Sequence, residues 1–572
     1  MKKTILTFLA FLLVLCTFGL VGCGKEEHSN HDYATLKSSS TKHWYECSCG
    51  KKDKVEEHRG GEATATTRAK CSVCGKEYGD FDELSGLKLT LNSEETEYAV
   101  TDYTGSTVDV VIPSTYQGLP VTSIAVQAFQ YCDAMKSVVI PNTVISIADY
   151  AFYRCSSLES VSMPNSIVTI GKEAFADCKA LEEIVVPNSV TSMGDGAFSR
   201  CTALASVTLS SGLSSVGYST FYNCKALASV TLPNSIISID TYAFEGCTGL
   251  KNLVIPESVT VIKERAFFGA GMESVTFEEN SKLVTIEGSA FEGCESLKNI
   301  VIPNNVEDIV SYAFAGCTSL ASVVFEANGK ITTVDSYVFK GCSALANVTL
   351  TNNIKVLASY AFEGCEALKD MVIPNSVEEI RERAFFNAGM EGVTFEANSK
   401  ITVIDSYAFE KCLTLKSIII PNSVEELAAS AFYNCAVLEE VIFAEDGNLK
   451  VIGNNVFDRC SALTTVSIPE GVTSLGDEVF KACTSLTTVK IPSNVTEISS
   501  FALYECDLLK TVIIDSSAIA TKLGGTSYSY AGGILYKCTK LYIKDTITAV
   551  TVASTFKKQD ISDLEGYVLY AK

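Results

Sequence analysis

The chain has 572 residues and a formal net charge of −22, from 45 basic and 67 acidic side chains. This acidity excludes nucleic acid as a partner, because neutralising phosphates requires protein faces rich in Lys and Arg. Apolar residues make up 47% and charged residues 20%, which excludes both a disordered chain and a polytopic membrane protein. The composition is that of a folded protein, and its segments differ strongly in character.

Residues 1–22 have the features of a secretion signal. Lys2 and Lys3 precede an apolar run from Ile5 to Val21, the order of a charged region followed by a hydrophobic one. The run ends in Leu-Val-Gly and Cys23, which resembles the lipobox of bacterial lipoproteins. That resemblance implies that Cys23 carries lipid and becomes the N-terminus of an extracytoplasmic protein attached to the cell membrane. An ordinary signal peptide or a short transmembrane anchor is the alternative.

A polar tether at 23–42 leads into a small cysteine and histidine module at 43–80. Two closely spaced cysteine pairs, each followed by Gly, resemble the knuckles of a zinc ribbon, although the first pair is one residue shorter than usual. So short a segment cannot bury a sufficient core, so either a structural zinc or two disulfides must close the fold. The candidate zinc ligands are four cysteines, with two histidines as substitutes for one of them: Cys47, Cys49, Cys71, Cys74, His43 and His58.

Residues 121–514 consist of seventeen units of 23 to 25 residues. Most units contain Ala-Phe-x-x-Cys followed by Leu-x-x-Val-x-Ile-Pro, as at Phe152, Cys155 and Leu158. The second half of this pattern predicts a short strand with alternate residues pointing inward. Ala270 and Ala388 occupy the cysteine position in two units. The position therefore requires a small buried side chain, and redox or metal chemistry is not expected there.

This repeat resembles the BspA-like leucine-rich-repeat surface proteins. The resemblance implies an α/β repeat solenoid with short parallel β-strands on the concave face and helical or 3-10 turns on the convex face. Residues 81–120 are then the N-terminal cap and 515–572 the C-terminal cap, which shield the ends of one continuous core. Consecutive phenylalanines such as Phe152, Phe175 and Phe198 are expected to touch as rungs of a ladder.

One outward-pointing position on each strand forms the candidate binding column. It lies between the inward Val and Ile, and it is mostly β-branched. Two explanations of this column are open. β-branched residues favour a parallel sheet even where no partner binds, but exposed apolar stripes also mark interaction surfaces. Longer turns at 277–282, 325–330, 395–400 and 443–448 are expected to emerge on one rim beside it. The candidate partner-binding residues are Val254, Thr276, Val301, Val324, Thr349, Val372, Thr394, Ile419 and Ile442.

Catalysis is not expected, because no His follows His58 and no phosphate-binding loop or His-Glu-x-x-His helix is present. Similarity to the BspA-like proteins implies an adhesion protein of the cell surface, and we expect it to be monomeric and non-enzymatic. Its partner would be a protein or glycoprotein of the host matrix or of a neighbouring cell, and the solenoid would need no cofactor. An envelope spacer or scaffold and a lipoprotein that captures glycans or peptides are alternatives, as is a metal-handling or enzymatic role for the small module.

Overall fold

The computed structural model describes residues 86–444, 446–499 and 501–520, together with shorter stretches on either side. Before residue 86 the described residues are five short strands between 35 and 78, and only their backbone is described. Downstream the described residues are 535, 537–548, 550, 552, 555–559 and 562–571.

The five upstream strands form two small antiparallel sheets. Lys42–Glu46 pairs with both Thr35–Ser38 and Lys52–Glu57, and Ala69–Lys70 pairs with Glu77–Tyr78. Because the side chain of His43 is not described, its role stays a prediction. The other residues of the lipid and zinc predictions lie outside the described residues: Cys23, Cys47, Cys49, His58, Cys71 and Cys74.

Each repeat unit runs along three sides of a coil. In the unit that begins at Ser137, a strand of three residues is followed by a corner, by the two-residue strand Ser146–Ile147, and by a run of turns up to Leu158. The corner is a tight turn in which the Val144 N–H donates to the Pro141 carbonyl at 3.1 Å. We call the three sides the long-strand sheet, the short-strand sheet and the turn side.

The strands of the long-strand sheet are parallel and in register within hydrogen-bonded groups of two to four strands, and the pairing is interrupted between these groups. For example, Ser137, Val138 and Val139 lie opposite Ser160, Val161 and Ser162. Its strands through the array are Asp109–Val111, Ser137–Val139, Ser160–Ser162, Glu183–Val185, Ser206–Thr208, Ser229–Thr231, Asn252–Ile255, Ser274–Phe277, Asn299–Ile302, Ser322–Phe325, Asn347–Thr349, Asp370–Ile373, Gly392–Phe395, Ser417–Ile420, Glu440–Phe443, Thr465–Ser467, Thr488–Ile491 and Thr511–Ile514.

The strands of the short-strand sheet, with two residues per unit, are parallel and in register within three hydrogen-bonded groups, which end at Ser192–Met193, Asp308–Ile309 and Ser474–Leu475. Ser146 and Ile147 lie opposite Thr169 and Ile170 of the next unit. Its strands are Ser146–Ile147, Thr169–Ile170, Ser192–Met193, Ser215–Val216, Ser238–Ile239, Val261–Ile262, Thr285–Ile286, Asp308–Ile309, Thr333–Val334, Val356–Leu357, Glu379–Ile380, Val403–Ile404, Glu426–Leu427, Val451–Ile452 and Ser474–Leu475.

The expectation of helical or 3-10 turns opposite the long strands is not supported, since the described residues of units 121–514 contain no helix. Two physical features oppose a helix on the turn side. The Phe152 N–H donates at 2.7 Å to the carbonyl of Ala174 in the next unit, so it is not available for bonds within a helix. Tyr150 and Arg154, on either side of this Phe, have φ of 59°, the left-handed conformation that interrupts a right-handed helix.

The core is one continuous ladder, as the repeat pattern predicted. Phe152 lies 4.9 Å from Phe175, and Phe175 lies 5.4 Å from Phe198, between ring centroids with nearly parallel planes. The ladder continues through sixteen phenylalanines from Phe129 to Phe480, with neighbouring rings 4.9–5.9 Å apart. All of these rings are buried. The seventeen units therefore share a single core.

Different strands close the two ends of the core. At the N-terminal end, Leu87–Leu91 pairs antiparallel with Tyr98–Tyr103, and Leu119–Ile124 continues the short-strand sheet after a two-residue strand, Thr115–Tyr116.

At the C-terminal end, Lys540–Lys544 extends the long-strand sheet in parallel from Thr511–Ile514. Tyr567–Ala571 then pairs antiparallel with it and with Lys557–Lys558. A single helical turn, Ser517–Ala520, follows the last repeat strand. The antiparallel strands at both ends differ from the repeats between them, as the shielding of a repeat core requires.

Candidate interaction surface

The predicted binding column lies on the outer face of the long-strand sheet. Its apolar members are strongly exposed, with Val254 at 55%, Val372 at 53% and Ile419 at 56% of their full accessible area. On either side of each, the strand residues point into the core: Leu253 and Ile255 are buried while Val254 is not. Alternation along the strand, rather than a local distortion, therefore places these side chains outside.

Parallel register places these side chains side by side wherever neighbouring strands pair. Val254 lies opposite Thr276, Val301 lies opposite Val324, and Val324 lies opposite Thr349. Further along the array, the column pairs Val372 with Thr394 and Ile419 with Ile442. All nine predicted residues are exposed, so the structure brings the whole predicted set onto one face. We call this set the β-branched stripe.

A row of ion pairs borders the start of the strands. Lys136 bonds Glu159 at 2.7 Å, and further along the array the ammonium groups of Lys298 and Lys369 each lie 2.8 Å from a glutamate of the adjacent unit. The latter two partners, Glu273 and Glu391, have a lowered pKa because the neighbouring lysine donates a hydrogen bond to the carboxylate. A lysine or a glutamate occupies the residue before many of the long strands, although Ala or Thr stands there in other units.

The longer turns border the other end of the strands. Each follows directly after a long strand, such as Ser274–Phe277 and Ser322–Phe325, which places them on one rim as predicted. The first turn residue is often a glutamate that bonds the backbone of the preceding unit. Glu278 accepts from the Glu257 N–H, and Glu326 accepts from the Asn304 N–H, both at 3.0 Å.

Two open grooves lie between a longer turn and the next corner. One, of about 600 Å³, runs between Phe277 and Asn304, and the other, of about 530 Å³, runs between Phe443 and Glu470. Val301 and Ile442 of the β-branched stripe line these grooves. The stripe and the rim are therefore parts of one continuous surface.

The repeat cysteines are structural. The Cys155 thiol is buried and donates a hydrogen bond at 3.0 Å to the carbonyl of Phe129 in the preceding unit, and the same bond recurs down to Cys506. Burial raises the pKa of these thiols, to about 12 for Cys294 and Cys342. They are therefore protonated and poorly nucleophilic at neutral pH. The hydrogen bond gives the column a role beyond small volume, which the pattern had not indicated.

No group of three or more His, Cys, Asp or Glu side chains in the described part of the chain could hold a metal ion. Likewise, none of the helices described here is long and apolar enough to cross a membrane.

Comparison with protein families identifies the repeat. The family model for the BspA type leucine rich repeat region (6 copies) matches residues 122–228, 168–295, 215–343, 284–414 and 402–532. Together these matches span most of the chain. The chain belongs to the BspA type leucine-rich-repeat family. The long-strand sheet, the phenylalanine ladder and the β-branched stripe are all features of this BspA type array. No curated protein matches the chain.

Several solved structures resemble the BspA type array. A leucine-rich repeat protein from Bacteroides ovatus ATCC 8483 is 24% identical, with 75% of this chain and 93% of that chain covered and a TM-score of 0.40. A leucine rich cell surface protein from Faecalibacterium prausnitzii A2-165 is 27% identical, with 76% and 94% covered and a TM-score of 0.29. The T. pallidum leucine rich repeat protein is 30% identical, with 37% and 88% covered and a TM-score of 0.30.

Proposed function

We propose that this protein is a non-enzymatic binding protein of the bacterial cell surface, which uses the β-branched stripe and the adjoining rim to hold a macromolecular partner. The partner is a protein or glycoprotein of a host matrix or a neighbouring cell. Lipid on Cys23 would hold the chain to the outer side of the membrane, and zinc or disulfides would close the small N-terminal module. A single chain would carry the complete surface.

The exposure of the β-branched stripe carries this proposal. Leucine-rich-repeat solenoids are typical of surface proteins and of protein-interaction proteins, and membership of this family supports the proposal. Val254, Val372 and Ile419 are each more than half exposed, although core packing does not require apolar side chains there. Exposed apolar side chains that recur in one column indicate a surface that binds a partner rather than one that faces only solvent.

The size of the stripe favours a macromolecule. From Val254 to Ile442 it crosses nine strands, which at ~4.8 Å per strand is a length of about 38 Å. The ion pairs at one border, such as Lys298 with Glu273, and the carboxylates of the rim give the apolar strip a polar edge. An apolar centre with a charged edge is the usual anatomy of a protein interface.

Charge reversal on the stripe tests the proposal. We would replace Val301, Val324, Val372 and Ile419 with Glu in the full-length chain, and measure capture from host and bacterial surface extracts. These four side chains are exposed, so the array should fold as before. If the stripe binds, four carboxylates that must be desolvated should weaken capture by ~100-fold or more.

A matched control uses the short-strand sheet. Ile145, Val168, Ile237 and Val403 are exposed β-branched residues beside or within the short-strand sheet, and their replacement with Glu adds the same charge elsewhere. This control variant should capture partners as well as the unchanged chain. Equal capture by the stripe variant and the unchanged chain would move the site away from the long-strand sheet. No specific capture by the unchanged chain would favour an envelope spacer.

A further inference from the structure

A further cleft lies on the turn side of the array, away from the long-strand sheet that carries the β-branched stripe. It is a cleft of about 400 Å³ in the units around Phe198 and Phe221. The cleft opens because small residues replace rings. Two residues before the ladder Phe, many units have Tyr, as at Tyr150, Tyr242 and Tyr312, whereas these two units have Gly196 and Ser219.

The position after the ladder Phe has the same local gap. It is Tyr153 in an earlier unit and Tyr222 in a later one, but Ala176 and Ser199 in the two units between them. Gly196 and Ser199 are buried and line the cleft, so they form its floor. Gly196 and Ser199 therefore leave open the space at the two positions that Tyr150 and Tyr153 occupy in their own unit.

Tyrosine rings form one wall. Tyr218 is 46% exposed, and it meets Tyr242 edge-to-face with ring centroids 5.4 Å apart. Tyr222 also lines the cleft, and the guanidinium of Arg200 lies 5.6 Å from its ring centroid. The contact with Tyr242 fixes the orientation of the Tyr218 ring, so that a large part of the ring surface stays open to a ligand.

The charged groups of the cleft nearly cancel. Lys172 and Arg200 supply two positive charges, and Glu173, Asp195 and Glu245 supply three negative charges. Glu245 is already neutralised by a two-point contact with Arg265, at 2.9 and 3.1 Å from the guanidinium nitrogens.

Arg200 is also partly neutralised, by Asp177 at 3.4 Å. The cleft opening therefore carries hydrogen-bond donors and acceptors, without a strong net electrostatic field. This arrangement disfavours a highly charged ligand.

We propose that this turn-side cleft binds a neutral oligosaccharide. A pyranose ring has an apolar C–H face that stacks on an aromatic ring, and hydroxyl groups at its edge that bond carboxylates, ammonium and guanidinium groups. Tyr218 supplies the stacking face, while Lys172, Glu173, Asp195 and Arg200 supply the polar groups. The volume lies at the lower end of the range for ligand pockets, ~300–1,000 Å³, which suits a short stretch of sugar. No residue of this cleft belongs to the β-branched stripe, so the two proposals fail or succeed separately.

Calorimetric titration of the full-length chain with maltotetraose, cellotetraose and N-acetylchitotetraose tests the proposal. At least one of these neutral tetrasaccharides should bind. Gly196→Tyr should abolish that binding by filling the cleft. The fold tolerates this change, because Gly196 has φ of 63° and the tyrosines at the same position in other units, Tyr150 and Tyr242, have φ of 59° and 60°. The tightest contact of the new Cβ would be with the flexible side chain of Glu173, at 3.0 Å, and the Ser199 Cβ would lie at an ordinary 3.7 Å.

Two further variants separate the cleft from a general effect on the array. Ser289→Tyr introduces the same ring at the equivalent position of a unit outside the cleft, where φ is 56°, and should leave binding unchanged. Tyr218→Ala should weaken binding about tenfold through loss of the stacking face, whereas Tyr218→Phe should retain most of it.

Three results would overturn the proposal. The first is that none of the three tetrasaccharides binds, and the second is that binding persists in Gly196→Tyr. The third is tighter binding of a charged tetrasaccharide, tetragalacturonate, than of the neutral ones. Retained binding in Ser289→Tyr and Tyr218→Phe, with loss in Gly196→Tyr and Tyr218→Ala, supports it.

Discussion

Replacement of one rung in the middle of the phenylalanine ladder should uncouple the two halves of the array. Phe314 is fully buried and stacks on both neighbours, 5.2 Å from Phe291 and 5.7 Å from Phe339. Phe→Ala changes in cores cost ~3–5 kcal/mol. Because the ring contacts two units, Phe314→Ala should lower the free energy of unfolding by about 4 kcal/mol, at the interfaces on both sides.

Phe314→Leu gives a graded comparison. Leu503 occupies the ladder position of the last unit and is buried there, so the fold accepts Leu at this place. We expect a loss of about 1–2 kcal/mol for this variant, since most of the volume is retained. Val324→Ala, an exposed change one unit away, should cost less than ~0.5 kcal/mol.

Urea unfolding followed by far-UV circular dichroism gives the size of these losses, and amide hydrogen exchange gives their location. In Phe314→Ala, exchange should rise first in the two units that flank Phe314. A loss below ~1 kcal/mol, or one no larger than that of Val324→Ala, would refute the argument that stacked rings hold neighbouring units together.

Three other measurements test separate parts of the account. Burial raises the pKa of the Cys294 thiol from 9.0 to about 12, so above pH ~8.5 the unfolded chain loses thiol protons that the folded chain keeps. The urea midpoint should therefore be steady at lower pH and fall as the pH rises towards 12; a constant midpoint up to pH 10 would contradict this. Gly389→Ala should lower the free energy of unfolding by more than ~3 kcal/mol, because its Cβ would lie 1.8 Å from the Glu366 carbonyl oxygen. Gly364→Ala should lower it by only ~1 kcal/mol, because its Cβ would lie 3.7 Å from its nearest neighbour and the cost comes from φ of 70°. Equal melting temperatures of the two variants would contradict this. If the N-terminal module holds zinc, a chelator should change the fluorescence of Trp44, the single tryptophan; no change, with thiols that react only after reduction, would indicate disulfides.

The periodic parts of the fold could be predicted from the sequence. The spacing of phenylalanines and strand residues is regular over hundreds of residues. A wrong assignment of the strand or ladder position in one unit would therefore disagree with the assignment in the next unit. Phe152, Phe175 and Phe198 therefore stack as expected, and Val301 and Val324 lie side by side on the outer face. Both results follow from repetition with alternation along a strand.

The turn side could not be predicted in the same way. Its hydrogen bonds join residues of different units, as from the Phe152 N–H to the Ala174 carbonyl, and no local pattern reports such a bond. Left-handed residues such as Tyr150 and Arg154 are not glycines, so the sequence carried no signal for the conformation that excludes a helix. The cleft beside Tyr218 was hidden for a related reason, because it arises from small residues in two neighbouring units at once.

The most direct test of the account is a photo-crosslinking comparison on the full-length chain. A benzoyl-phenylalanine placed at Val324, on the β-branched stripe, should capture a distinct partner band from surface extracts. The same group at Val168, exposed beside the short-strand sheet, should capture none. Equal capture at both positions, or capture at Val168 alone, would contradict the claim that the long-strand sheet is the surface on which this protein acts.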